Sequence, residues 1–172
     1  TFINGLSIND PDSILEVYNQ KIKDKYDDVG VTVITMGLPQ ADAVLREAFA
    51  MGVDKAILLT DRKLGGADTL ATSNALAGAL RTMDVDLIIT GEGHLDSQSI
   101  AGKAISGIAK RADGVPVVAI VGKSDCTDDE IKSLGLRAVY ETGDNETPLE
   151  ELMARAKDDY RRVFIDVIKA NI

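Results

Sequence analysis

The stretch Gly-Glu-Gly-His-Leu-Asp-Ser-Gln-Ser-Ile-Ala-Gly-Lys-Ala, residues 91–104, crowds more reactive side chains into one place than a plain turn needs. It follows the aliphatic run Asp-Val-Asp-Leu-Ile-Ile-Thr and leads into a segment with helical spacing. Gly91 and Gly93 allow a ligand to approach the backbone where a side chain would block it. Ser97 and Gln98 offer hydroxyl and amide groups beside the unpaired N–H groups of a helix start, a combination that receives phosphate or carboxylate. Asp96 has the chemistry of a general base, or of a group holding a metal through water. Glu92 and Asp96 repel an anion unless magnesium intervenes. Lys103 lies about two turns into the helix, far for reaching a phosphate. The competing reading is that Asp96, Ser97 or Ser99 simply caps the helix. His94 has an ordinary pKa near ~6.5, but a lone loop histidine is most often a bystander.

A second candidate is Thr-Asp-Arg-Lys-Leu-Gly-Gly-Ala-Asp-Thr-Leu-Ala-Thr-Ser, residues 60–73, where Gly65 and Gly66 precede a helix started by Asp68 and Thr69. Its plainer reading is a solvated loop at a sheet edge. The sequence has no P-loop lysine motif, dinucleotide fingerprint, zinc spacing or nucleophile elbow, and no metal ligands are assigned.

These segments are positioned by alternating strand-like and helix-like patterns. The runs 31–37, 55–60, 86–91, 115–122 and 137–142 are short, β-branched and closed by Gly or polar residues, as expected of five parallel strands buried on both faces. Between them, Pro39 opens a helix whose inward face is Val44, Leu45, Ala48 and Phe49. Asp68 is the expected N-cap of the next. Ile100, Ala104, Ile105 and Ile108 recur at helical intervals in a third, and Thr127 with Glu130 forms a capping box. An amphipathic helix fills the stretch after Pro148, and another is expected near residues 12–26. With no linker or low-complexity tract, one α/β domain over residues 1–172 follows.

Composition narrows the partners. A net charge of -9 excludes non-specific binding to nucleic acid or an anionic membrane surface, which needs clustered Lys and Arg. Cys126 is the single cysteine, so a reducing compartment is expected. No apolar run reaches a membrane span, and the start Thr-Phe-Ile-Asn-Gly-Leu shows no export signal, so a soluble, cytoplasmic protein is expected. The long apolar set of the last helix, from Leu149 and Met153 to Ile168, leaves a homodimer contact open beside simple packing on the sheet.

Residues of about 10 to 90, which include VTVITMGLPQADAVLREAFAMGVDKAILLTDRKLGGADTLATSNALAGALR, resemble the β subunit of electron transfer flavoproteins. Residues of about 86 to 140, with DLIITGEGHLDSQSIAGKAISGIAKRADGVPVVAIVG, resemble instead the C-terminal segment of the glycerate kinase family and its Gly-Glu-Gly-x-x-Asp-Ser-Gln motif. The two resemblances meet in the strand Asp-Leu-Ile-Ile-Thr-Gly, so the expectation is an engineered or chimeric chain, segment 10–90 joined to segment 91–172, with no retained enzymatic activity. Two alternatives stand beside it: a module binding an adenine nucleotide or a small anion, and a glycerate kinase-type phosphotransferase with an incomplete site. No cofactor is expected on the first reading; AMP, or ATP with magnesium, is on the second. In the kinase family position 94 is commonly Arg, which weighs against an essential His94. The flavoprotein resemblance also implies that residues 60–73 lie near an AMP and partner-subunit surface.

The flavoprotein subunit carries a central first strand, in an order 3-2-1-4-5, that is not found here. Without it the order becomes 2-1-3-4-5, the flavodoxin-like arrangement in a three-layer sandwich. The strands at 31–37 and 86–91 then pair directly, and Gly37 and the loop 91–99 line one crevice at the switch point, making Gly37, Gly91, Glu92, Gly93, Asp96, Ser97 and Gln98 the expected ligand residues. The alternative keeps the adenine nucleotide hydrolase-like order 3-2-1-4-5 by using Phe2, Ile3 and Leu6 as the central strand. That would put Asn4 and Gly5 in the most buried position of the sheet.

Overall fold

A computed structural model describes residues 28–50, 53–96, 104–144 and 146–171, with Lys157 described by its backbone alone. The helix expected at 12–26 and the strand alternative at Phe2, Ile3 and Leu6 lie outside the described residues. All five expected strands are present: β1 Thr32–Met36, β2 Lys55–Leu59, β3 Ile88–Leu95, β4 Val117–Ser124 and β5 Ala138–Glu141. Every pairing is parallel, β1 with β2 and β4 with both β3 and β5. Among the described residues, five helices follow the strands: α1 Asp42–Ala50, α2 Thr69–Leu80, α3 Ala104–Ala109, α4 Asp128–Ser133 and α5 Leu149–Asn171. Pro39 opens a 3-10 turn over Pro39–Ala41 that feeds α1.

The period-2 alternation of the strands distributes their side chains between two cores. Val31, Val33, Leu87, Ile89, Val118 and Ile120 meet Leu45 and Ala48 of α1 and Tyr160, Phe164 and Val167 of α5 on one face. Ile34, Ile88, Val117, Ala119 and Val121 meet Leu76 and Leu80 of α2, Ile105 and Ile108 of α3, and Leu134 on the other. The helices after β1 and β3 therefore cover opposite faces, as expected. Phe49 does not join Leu45 and Ala48; it is 52% exposed, because only two positions of the short α1 reach the core.

The expected direct pairing of β1 with β3 in one five-stranded sheet is not what the described residues form. They form a two-stranded sheet, β1-β2, and a three-stranded sheet in the order β3-β4-β5. The Cα traces of β1 and β3 stay more than 8 Å apart over nearly their whole length, whereas laddered strands lie at about 4.8 Å. Both cores run across the two sheets, so the helices bridge them.

Local signals set the helix ends as the sequence indicates. Asp68 caps α2 by accepting from the Ala71 N–H at 2.7 Å. In α4 the Glu130 carboxylate accepts from the Thr127 N–H at 2.8 Å, and Thr127 Oγ1 accepts from the Glu130 N–H at 3.4 Å, which completes the capping box. α2 and α3 pack closely where Ser73, 1% exposed, faces Gly107.

Candidate functional site

Residues 91–95 do not form a loop. β3 continues through them to Leu95, pairing Glu92 with Val121, His94 with Lys123 and Leu95 with Ser124. The reason is backbone pairing with β4, which needs no apolar side chains. Gly93 is skipped in that ladder. Ile88 and Leu95 belong to the same core although they stand an odd number of residues apart, while the register with β4 keeps one offset on both sides of Gly93. His94 is thereby left exposed at the strand end.

Three glycines lie close together here. A Cβ on Gly122 would stand 2.5 Å from the Gly93 carbonyl oxygen, and one on Gly143 would stand 2.8 Å from that of Gly122. The Gly143 N–H donates to the Gly122 carbonyl at 2.9 Å. Gly122 and Gly143 are therefore demanded by packing, whereas a Cβ on Gly93 would meet open space.

Next to these glycines along the strands are His94, Lys123 and Asp125. His94 Nε2 and Asp125 Oδ2 are hydrogen-bonded at 2.7 Å, and Lys123 Nζ lies 3.0 Å from Asp125 Oδ1. The Asp125 N–H donates to the Leu95 carbonyl at 2.9 Å, which ties this carboxylate to the end of β3. The Lys123 hydrogen bond, and after it that from His94, holds the Asp125 carboxyl below the usual carboxylate range. The three side chains are 48%, 41% and 49% exposed in the order His94, Lys123, Asp125, so a solute can reach each of them.

Around them, Glu141 accepts from the Ser124 N–H at 2.8 Å. The Cys126 N–H donates to Ser124 Oγ at 3.3 Å. Burial pushes the Cys126 thiol up, the charge of Glu130 adds to this, and Asp96 contributes a smaller share. Asp96 follows Leu95, which pairs with Ser124 at the end of β4.

The structure thus brings Gly91, Glu92, Gly93 and Asp96 together on β3 or at its end. Gly37 ends β1 in the other sheet, its N–H donating to the Leu59 carbonyl at 3.1 Å. Ser97, Gln98 and Lys103 lie outside the described residues. In residues 60–73 both carboxylates act as caps: Asp61 accepts from the Lys63 N–H and Asp68 from the Ala71 N–H, with Gly66 at φ +75 between them. Sequence reasoning missed Lys123, Asp125 and Glu141. A usable signal was present, because Gly93-His-Leu-Asp96 and Gly122-Lys-Ser-Asp125 repeat a Gly-x-x-Asp spacing at two strand ends. Among the described residues no group of three or more His, Cys, Asp or Glu side chains is placed to hold a metal ion, and no helix is long and apolar enough to cross a membrane.

Fold and site together define an α/β protein of parallel strands whose polar groups gather at the carboxyl ends of β3, β4 and β5. The chain belongs to the glycerate kinase family, whose model matches residues 13–171. It is also similar to proteins of another kind. The β subunit of electron transfer flavoprotein from Clostridium acetobutylicum is 41% identical over 122 residues, 71% of this chain and 44% of that protein. Protein FixA of Azotobacter vinelandii is 46% identical over 97 residues, covering 54% and 34%. The caffeyl-CoA reductase-Etf complex subunit CarD of Acetobacterium woodii is 46% identical over 101 residues, covering 58% and 37%. The chain spans less than half the length of these relatives. Among solved structures, a CheY-like response regulator from Mesorhizobium loti is 15% identical and covers 76% of this chain and 99% of its own, with a TM-score of 0.28.

Proposed function

We propose that the chain is a binding module for a small hydroxy-carboxylate or its phosphate, seated at the carboxyl ends of β3 and β4. The observation that carries this reading is the convergence of His94 and Lys123 on one carboxylate, Asp125, beside Gly93, where a Cβ would meet open space. Two hydrogen-bond donors that already hold a carboxylate have the spacing to share or exchange it for that of a ligand. Gly91, Glu92, Gly93, Asp96, Ser97 and Gln98 belong to the proposed ligand strip, with Asp96 as acceptor for a ligand hydroxyl. Gly37, at the end of the other sheet, joins only for a ligand long enough to cross both sheets, such as AMP or magnesium-ATP. Membership of the glycerate kinase family makes glycerate and phosphoglycerate the first ligands to try.

On this reading the module binds without turnover. Phosphoryl transfer depends on holding donor and acceptor in line, and this strip supplies one wall of such a cleft. The chain is further read as one domain of two joined segments, 10–90 and 91–172. The ground for it is the similarity of one chain to proteins of two kinds, while the glycerate kinase model runs through both segments.

Isothermal titration with glycerate, phosphoglycerate, AMP and magnesium-ATP tests the binding. The proposal expects heat from phosphoglycerate that disappears in His94→Ala combined with Lys123→Ala; the same heat in that variant refutes it. A coupled assay expects no phosphoglycerate formation above buffer, and turnover abolished by Asp96→Ala overturns the non-catalytic part. Urea unfolding followed by one probe in each sheet expects a single transition for one domain, and two separate transitions contradict it.

A further inference from the structure

His94 and Lys123 are register partners across β3 and β4, so the ladder holds their backbones side by side whatever lies between their side chains. In the free protein a group of the chain itself lies there. His94 Nε2 stands 2.7 Å from Asp125 Oδ2 and Lys123 Nζ 3.0 Å from Asp125 Oδ1, so each donor takes a different oxygen of one carboxylate. A ligand carboxylate or phosphate would be gripped in the same way. Lys123 first and His94 second hold the Asp125 carboxyl below the usual range, so the group between them is charged at neutral pH.

Neighbouring carboxylates serve the backbone. Glu130 accepts from the Thr127 N–H, Glu141 from the Ser124 N–H, and Asp144 from the Glu146 and Thr147 N–H groups. The Asp125 carboxylate instead accepts from two side chains. The backbone beneath it is pinned without its help: the Asp125 N–H donates to the Leu95 carbonyl at 2.9 Å, the Ser124 N–H to Glu141 at 2.8 Å and the Cys126 N–H to Ser124 Oγ at 3.3 Å. Turning the carboxylate away therefore leaves the ladder and these bonds intact. At 49% exposure the side chain has solvent to turn into, and such a rotation takes picoseconds to nanoseconds.

We propose that Asp125 is an internal competitor for the ligand, an assignment that rests on the reading of the β3 and β4 ends as a ligand seat. Its carboxylate occupies the donors of His94 and Lys123 in the free protein and rotates into solvent when a ligand anion takes its place. The ligand class is then an anion with two or more oxygens on one centre, one for each donor. Exposed ion pairs are weak, each a factor of roughly two to five in an equilibrium constant. Removing the competitor therefore tightens binding by roughly fivefold.

The test titrates the intact chain with phosphoglycerate in three forms, unmodified, Asp125→Asn and Asp125→Ala; Asn keeps the shape of the side chain and Ala removes it. Both variants are expected to bind roughly fivefold tighter than the unmodified protein. A crystal structure of the unmodified protein with phosphoglycerate is expected to show ligand oxygens on His94 Nε2 and Lys123 Nζ, with the Asp125 carboxylate out of hydrogen-bond reach of both. Binding by the unmodified protein that is unchanged or weaker in both variants overturns the competition and leaves the ligand seat standing. So does a complex in which Asp125 keeps both contacts, since a rise in affinity would then reflect charge alone. No binding by any of the three forms refutes the seat itself, and the competition with it.

Discussion

Gly107→Ala places a methyl group where α3 touches α2. A Cβ there would collide with both Oγ and Cβ of Ser73, so turning the hydroxyl away does not make room and the two helices must part. Forcing a methyl into a packed contact costs about 1–3 kcal/mol. The Ser73 hydroxyl, which donates to the Leu70 carbonyl at 2.9 Å, is strained at the same time, and a displaced buried hydroxyl adds about 1–3 kcal/mol. Alanine returns about 1 kcal/mol through its better helix propensity. The net expectation is a loss of about 3 kcal/mol, or a fall in Tm of about 6–12 °C at this chain length. Urea unfolding reads it as a lower midpoint with unchanged slope. The partner substitution Ser73→Gly, combined with Gly107→Ala, removes the collision and returns part of the loss as a coupling energy. A midpoint that stays or rises in Gly107→Ala, or a double variant showing no coupling, refutes the packing argument.

The remaining expectations concern charge, capping and the exposed end of α5. Thr127→Ala removes the cap of α4 and lowers stability by about 1 kcal/mol in the same urea assay. Asp125 is held below the ordinary carboxylate range by Lys123 and then His94. Its contribution is therefore present above the unfolded carboxyl pKa and lost as pH falls through the lower folded value. Asp125→Asn accordingly flattens the acid limb of the stability profile, and an unchanged limb counts against the contact. Cys126, with its thiol raised by burial and then by Glu130, reacts with iodoacetamide more slowly than a free cysteine peptide at neutral pH, and equal rates would contradict this. Leu149 and Met153 are 73% and 69% exposed, so changing both to Ser shifts stability by less than about 0.5 kcal/mol. Light scattering of the unmodified protein at two concentrations tests whether this patch joins two copies; a monomer at both removes the dimer expectation.

What was legible in the sequence was local. The five aliphatic runs became strands, but burial on both faces holds only for β1, β3 and β4; β2 and β5 have no buried residue. Asp68 and Thr127 cap helices by bonds to residues three positions away, which a reader of sequence can see. The continuation of β3 to Leu95 was hidden, because Glu92 and His94 join the sheet through backbone bonds to Val121 and Lys123 that no side-chain pattern announces. His94 and Asp125 are likewise 31 residues apart in sequence and meet only because β3 and β4 run in register. That β1 and β3 form no ladder among the described residues is a matter of tertiary packing that no local motif announces.

The central claim, a ligand seat at the carboxyl ends of β3 and β4, is tested most directly by an amide NMR titration of the intact chain with phosphoglycerate. The account predicts saturable shifts concentrated at Gly93, His94, Lys123, Ser124 and Asp125, absent when His94 and Lys123 are both Ala. Saturable shifts confined to residues 60–73, or no shifts at all, would contradict it.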